Sequence, residues 1–567
     1  MKRFKEIILI IFMILIFGVP RLIGLGNFTS IDEPFWLRQS ANFYYALGQH
    51  EFDKTVYEYH PAVTTMWVIT GGMLVYFPEY RVLGQGYLKP GKFDVFMPQQ
   101  GKDPLQLMID SRAIQVGVIV VLLLLLYFLL RKLLDGRLAF FTTTLISFSP
   151  FFLGHSRLLN HEGMMVMFIF TSLMGMLVYL YADRNWIFLL LSGAASALAQ
   201  LTKSSALPLI PIIFLAILIH ASGSSDKKWG QKIFDAFKTF GIWLLVNALT
   251  YIAVWPGMWV DPRAMLYEVY GNALTYAFAG SRISSLPSFN PSSFGLGNIM
   301  AGVQKNIIEI LWHTTPITWI GLLLGIWAAF DYQRNKSEQN YRLIIFYSGI
   351  VGLAFIVMFG AFRYNNPPHY TLTSYVSLDL IAGLGWTYIL SMLANRWPKL
   401  LAGWKTNAAL VIIVLLQFVS GIGFYPYYIT YYNPIMETVL SNERNPILKG
   451  GGYGEGVDQA AAYLAQKPGA KNMTVMSVYG YGSFSYYFPG NTIRINDLIP
   501  DNADAETIQS LQDSKYVVID YYNQKKSGHL SGLESIKPEK IIWIDGLEFL
   551  HIYRTADILA YIATINQ

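Results

Sequence analysis

Read in windows of about 19 residues, the chain shows apolar runs at 7–25, 111–130, 138–153, 163–181, 186–202, 205–221, 239–255, 314–330, 343–362, 370–394 and 407–428. A helix rises about 1.5 Å per residue, so runs of this length cross, or nearly cross, a hydrocarbon core about 30 Å thick. The shortest are 138–153 and 186–202. The first run follows Lys2, Arg3 and Lys5. A charged start resembles a signal peptide, but about 19 apolar residues suffice to span. It is read as the first of about eleven membrane helices, uncleaved. Beyond Tyr431 the period changes. Strand-like runs at Met473–Val478, Tyr516–Tyr522 and Ile541–Tyr553 alternate with helical patterns at Val457–Ala465 and Ala505–Ser514, the mark of a small α/β domain. The expected architecture is therefore a polytopic α-helical membrane domain over 1–430, with long loops at 27–110 and 256–313, and a soluble α/β domain over 431–567.

Composition supports the bilayer. The chain is 53% hydrophobic and 14% charged, where soluble domains carry about 25% charged residues. The net charge of +6 is no pointer to nucleic acid, because the basic residues sit in short loops between apolar runs. With the N-terminus in the cytoplasm, the short inner segments hold 17 Lys and Arg and the short outer loops only Arg157, Lys203 and Arg363. That asymmetry follows the positive-inside rule. It predicts a multi-pass protein of the plasma (inner) membrane whose C-terminal domain is periplasmic or extracellular. There is no Cys, which excludes disulfides and Cys-based metal sites.

The rare polar residues beside the bilayer carry the chemistry, since charge near hydrocarbon is costly. Asp32 and Glu33 follow the first span. Ser30 or Asp32 can cap a helix begun at Pro34, or a carboxylate can act there as general acid or base. His60 opens His60-Pro61-Ala62, either packed beside an interfacial helix or in contact with substrate. Arg157, Asn160, His161 and Glu162 crowd a short turn, more polar than a solvated loop requires. Lys203 ends another span, either snorkelling to the surface or holding a phosphate. Arg363, His369 and Tyr370 lie in a further outer loop with the same phosphate-binding chemistry. The stretch Gly450–Gly456 lacks the Lys-Ser/Thr of a phosphate loop and reads as a linker or turn. The expected topology puts acids and cations from four loops on one face. That set suits a reaction at a sugar–phosphate bond, in which a carboxylate deprotonates the acceptor and cations stabilise the departing phosphate.

These motifs resemble the protein O-mannosyltransferase family (glycosyltransferase family 39) and the bacterial lipid A aminoarabinose transferases. Asp32-Glu33 is similar to their first-loop acidic pair, and Thr202-Lys203 to their Thr-Lys. Ser156-Arg157…Glu162 resembles a second outer motif that usually carries Asp. Pro368-His369-Tyr370 with Leu380–Gly385 resembles a late-helix signature, departing from it where a Pro usually stands near Thr373 or Ser374. Trp255–Pro262, Tyr431–Pro434 and Tyr453-Gly454-Glu455-Gly456 look like prokaryotic members. The resemblance implies a GT-C fold, a polyprenyl-phosphate sugar donor and inversion at the anomeric carbon. It implies Asp32 as catalytic base, Glu33 as an assisting or metal-binding acid, and Glu162 as the second acid. Arg157, Lys203, Arg363 and His369 would hold the carrier phosphate, with His60, Asn160 and Tyr370 elsewhere in the substrate site. A divalent metal (Mg, Mn or Zn) is left open. The partners implied are the lipid-linked donor, an acceptor protein, lipid or glycan, and membrane lipids. The competing class is a transporter or flippase of lipid-linked substrates. It calls for mid-membrane charges and paired broken-helix repeats, and neither stands out in the chain.

Overall fold

The computed structural model describes residues 2–223, 228–279, 295–331, 336–362, 367–401, 403–440, 452–495, 498–521 and 532–565. The chain divides into two compact units. One comprises Met1–Ile23, His50–Trp67 and Gln115–Met436, the other Gly24–Gln49, Val68–Ile114 and Glu437–Gln567. Two segments of the first long loop thus fold with the C-terminal part of the chain.

Each of the eleven apolar windows overlaps a helix. Among the described residues, seven helices are individually long and apolar enough to cross a membrane: Pro104–Leu133, Glu162–Tyr181, Ser204–Ser222, Trp229–Val254, Asn340–Ala361, Pro368–Arg396 and Trp404–Ile422. The chain is a multi-pass membrane protein. The other four windows fall short for visible reasons. Lys2–Leu22 carries Lys5, Glu6 and Arg21. Trp186–Thr202 has 17 residues. The 138–153 window is split into Gly136–Ser147 and Pro150–His155, because Pro150 has no N–H with which to continue a helical ladder. The window at 314–330 is one arm of a bent pair, Leu296–His313 and Pro316–Phe330, which meet at 117°. Thr315 caps the second arm by accepting the Thr318 N–H at 3.1 Å, with Pro316 at its first turn. Leu296–His313, expected as loop, is an 18-residue helix.

Within the first unit, Glu162–Tyr181 is the most buried of the candidate spans: 94% of its window is buried, against 17% for Trp229–Val254. Polar groups tie the helices together, as expected where lipid tails are as apolar as the side chains. Trp243 Nε1 donates to Ser192 Oγ at 2.9 Å, and Ser192 Oγ donates to the Ser172 carbonyl at 2.7 Å. Asp379, fully buried, accepts from Thr318 Oγ1 at 2.6 Å. Small residues bring Pro316–Phe330 against Leu372–Arg396. A Cβ on Gly385 would fall 2.1 Å from the Gly321 carbonyl oxygen, with backbone rather than a flexible side chain in the way. Gly385→Leu is expected to break this packing and abolish monodisperse protein on size-exclusion chromatography after detergent extraction, whereas substitution of the exposed Leu323 should not.

In the second unit the described strands form one sheet of order β2-β1-β3-β5-β4, with β1 Thr474–Ser477, β2 Asn491–Arg494, β3 Tyr516–Asp520, β4 Lys540–Ile544 and β5 Leu547–Arg554. β2, β1 and β3 run parallel, and β5 pairs antiparallel with both β3 and β4. The run Ile541–Tyr553, expected as one strand, is a hairpin. Asp545 and Gly546 both take positive φ (49° and 75°), as a tight two-residue hairpin turn requires. Val457–Ala465 and Ala505–Gln512 are helices, close to expectation. Met476, Leu511, Val517, Ile519, Tyr553 and Ile558 form the core on one side of the sheet.

Candidate active site

Glu162 is the first residue of Glu162–Tyr181, and Lys203 follows the last residue of Trp186–Thr202. Helices of 20 and 17 residues, joined by a short turn, are about 30 and 25 Å long. The start of one therefore returns to the level of the end of the other. An acid at a helix N-terminus and a base at a C-terminus each oppose the helix dipole favourably. Lys203 breaks the helix in an extended conformation (φ −153°, ψ 132°). Its ammonium forms an ion pair with Glu162 Oε1, both side chains being almost completely buried. His369 Nε2 lies 3.7 Å from the same oxygen. The Lys203 ammonium sits 3.7 Å from the centroid of the Tyr370 ring, a cation–π contact. An ammonium has three donors, so pairing with Glu162 leaves capacity for another anion.

Around this pair the rings close in. His60 lies 6.3 Å from the His161 ring and 6.4 Å from that of Tyr370. His161 Nδ1 shares a 2.9 Å hydrogen bond with Thr65 Oγ1, and Thr64 joins Thr202 at 2.7 Å, which anchors the His60 segment beside Lys203. Asn160 Nδ2 bonds His155 Nδ1 at 2.7 Å, and the His155 and His369 rings are 5.5 Å apart. Burial pushes the His161 imidazole down to about 4, with Glu162 pulling it up and Lys203 pushing it further down. Burial likewise lowers His155 to about 4. Both are neutral at pH 7. They can share hydrogen bonds but add no charge to an anion site.

An apolar cavity of about 820 Å³ in the same unit takes Tyr370, His60 and Ser204 into its wall and runs on past Leu207, Leu244 and Phe359. Arg157 sits in a different setting. It donates to the Ile23 carbonyl at 2.5 Å and lies 5.8 and 5.6 Å from the rings of Tyr425 and Tyr428. Arg21, which the sequence reading passed over inside an apolar run, is fully buried and bonds Ser156 Oγ at 2.7 Å and the Ser147 carbonyl at 3.0 Å, pinning the turn that precedes Arg157. Arg363 lies outside the described residues.

The acidic pair belongs to the second unit, where its two members differ. Asp32 is exposed and its carbonyl accepts the Trp36 N–H at 3.1 Å. Glu33 is fully buried. Its Oε1 accepts from Arg112 Nε at 2.7 Å, and its Oε2 from Arg112 Nη2, the Ser30 N–H at 2.8 Å and Ser30 Oγ at 3.0 Å. Four donors on one carboxylate use its acceptor capacity. Glu33 therefore fixes the loop through a bidentate pair with Arg112 and its bonds back to Ser30. A proton-transfer or metal-binding role does not suit it. Arg112 was missed because it lies inside a strongly apolar window. Among the described residues no three His, Asp or Glu side chains gather into a set that could hold a metal ion.

A buried ion pair at the level of helix ends thus stands beside an apolar cavity in a many-helix membrane body. The family model described as dolichyl-phosphate-mannose-protein mannosyltransferase matches residues 109–255, the segment that carries Arg157, Glu162 and Lys203. Among solved structures, the chain is similar to ArnT from Cupriavidus metallidurans bound to undecaprenyl phosphate, at 12% identity and TM-score 0.44, covering 97% of this chain and 98% of that one. It is similar to the oligosaccharyltransferase of Archaeoglobus fulgidus tethered with an acceptor peptide, at 11% identity and TM-score 0.49, covering 92% and 69%. It is also similar to the S. cerevisiae protein O-mannosyltransferase Pmt1-Pmt2 complex bound to the sugar donor, at 17% identity and TM-score 0.35, covering 44% and 33%. No curated protein matches the chain.

Proposed function

We propose that the chain transfers a sugar from a polyprenyl-phosphate carrier to an acceptor at the outer face of the plasma (inner) membrane, with inversion. The observation that carries this reading is Lys203: a buried, paired ammonium beside an apolar cavity of about 820 Å³. Cavities of about 300–1,000 Å³ are typical of ligand sites. An apolar wall accepts an isoprenoid chain, and a fixed cation next to it accepts the phosphate at that chain's end. His369 and Tyr370 are placed to help orient that phosphate.

In the proposed reaction Asp32 takes the proton from the acceptor. The acceptor atom attacks the anomeric carbon on the face opposite the phosphate, and a new glycosidic bond forms. The carbon–oxygen bond to the phosphate breaks, and polyprenyl phosphate departs with the electron pair. Lys203 stabilises the charge that develops on the leaving oxygen, an electrostatic contribution of about a hundredfold or more for one well-placed group. The acceptor is a protein, a lipid headgroup or a glycan, and the C-terminal domain would be periplasmic or extracellular.

The test is consumption of a radiolabelled polyprenyl-phosphate hexose by purified protein, with membrane extract supplying acceptors. Wild-type protein is expected to release and transfer sugar, and Lys203→Ala to lose about a hundredfold in turnover. Binding of the carrier with no consumption across several sugars would overturn the reading in favour of a flippase.

A further inference from the structure

The stretch read from the sequence as a linker or turn is, from Gly452 onward, a turn built around a buried acid. Glu455 is 2% exposed. Its Oε2 accepts the backbone N–H of Gly452 at 3.1 Å and of Tyr453 at 2.8 Å, so the side chain closes the turn on itself. The carbonyl of Tyr453 then accepts the N–H of Ile31 at 3.0 Å. Gly454 has φ +94°, and a Cβ there would come 3.0 Å from the Thr29 carbonyl oxygen. Both glycines flanking Glu455 are left-handed, Gly456 at φ +81°, a conformation that Gly adopts without penalty. The turn therefore rests against residues 29–31, immediately before Asp32. On the other side of Asp32, Glu33 is held by Arg112 and Ser30. The exposed carboxylate stands between two fixed points.

We propose that Glu455 is a positioning residue for Asp32: its carboxyl shapes the 452–456 turn so that the Tyr453 carbonyl grips Ile31 and sets the direction of the next side chain. This rests on the reading of Asp32 as the general base. The remaining oxygen of Glu455, Oε1, is buried without a hydrogen-bond partner among the described residues, a costly arrangement for an ionised carboxylate. Burial raises this carboxyl to about 8, with Asp520 adding in the same direction against the backbone donors. The group is neutral at pH 7, so glutamine can replace it while still accepting both N–H groups.

Two readouts decide the matter in the full-length protein. The first is hydrogen exchange at the Ile31 amide. Glu455→Ala is expected to speed it at least tenfold, and Glu455→Gln to leave it unchanged. The second is kinetic. Glu455→Ala is expected to lower kcat about tenfold with the carrier KM unchanged, and Glu455→Gln to keep at least half of the wild-type kcat. Gly454→Ala forces the turn off Thr29 without touching the acid. It should reproduce the Glu455→Ala pattern even where that variant folds poorly. Wild-type exchange and kcat in folded Glu455→Ala and Gly454→Ala, with Asp32→Asn inactive, would overturn the positioning role alone. Full activity in Asp32→Asn would overturn it through its premise, whatever the exchange data show.

Discussion

Asparagine in place of Asp32 is expected to lower turnover by about a hundredfold or more, the range lost when a general base is removed. Asparagine has nearly the size of aspartate and is equally at home ahead of a helix. Its backbone carbonyl can still accept the Trp36 N–H that Asp32 accepts at 3.1 Å. Neighbours hold the loop: Glu33 is bonded by Arg112, and Ile31 by Tyr453. The loss should therefore appear in kcat at saturating donor, with expression, thermal midpoint and carrier KM close to wild type. A variant that keeps wild-type turnover would remove Asp32 from the chemistry and leave the transferase class intact.

Arg112→Ala is expected to be the most destabilising single change in the second unit, at about 3–5 kcal/mol, because it strands a buried carboxylate. Arg112 is 1% exposed and gives Glu33 two parallel hydrogen bonds, with a third donor on the Leu25 carbonyl. After truncation Glu33 keeps its contacts with Ser30 and loses both guanidinium bonds. Replacing both partners with apolar residues of similar shape removes the stranded charge, so Arg112→Met with Glu33→Leu should be more stable than Arg112→Ala alone. Thermal unfolding in detergent would report the difference. A wild-type midpoint for Arg112→Ala would mean that the pair contributes nothing.

The parts of this arrangement that the sequence disclosed are those with long-range regularity or conspicuous isolation. Apolar windows located the helices because the bilayer imposes a minimum length. Lys203 and Glu162 were visible as charges where charges are rare. What stayed hidden depended on short-range geometry or on pairing. Averaging over an apolar window concealed Arg112 and Arg21. Ser149-Pro150 interrupts a window that mean apolarity treats as continuous. Thr315-Pro316 starts a helix at a steep angle to the one before it, a relation that no one-dimensional pattern encodes. Asp545-Gly546 was read through as strand, although that dipeptide is a strong hairpin signal. Adjacent in sequence, Asp32 and Glu33 suggested a shared role. In the fold one is exposed and the other is locked against Arg112 and Ser30, because successive residues at a helix start point in different directions.

The second unit is assembled from residues 24–49, 68–114 and 437–567. The earliest of these leave the ribosome long before the last. At about 5–20 residues per second, more than three hundred intervening residues take on the order of tens of seconds to make. Throughout that interval the Asp32 loop lacks Tyr453 and Glu455, the groups that later brace it. A nascent or prematurely terminated product would thus expose an unsupported acidic loop to proteolysis and would not support turnover. In the proposed enzyme, competence for sugar transfer would be acquired only after residues 437–567 are made, with a later-made part of the polypeptide acting as a check on an earlier one.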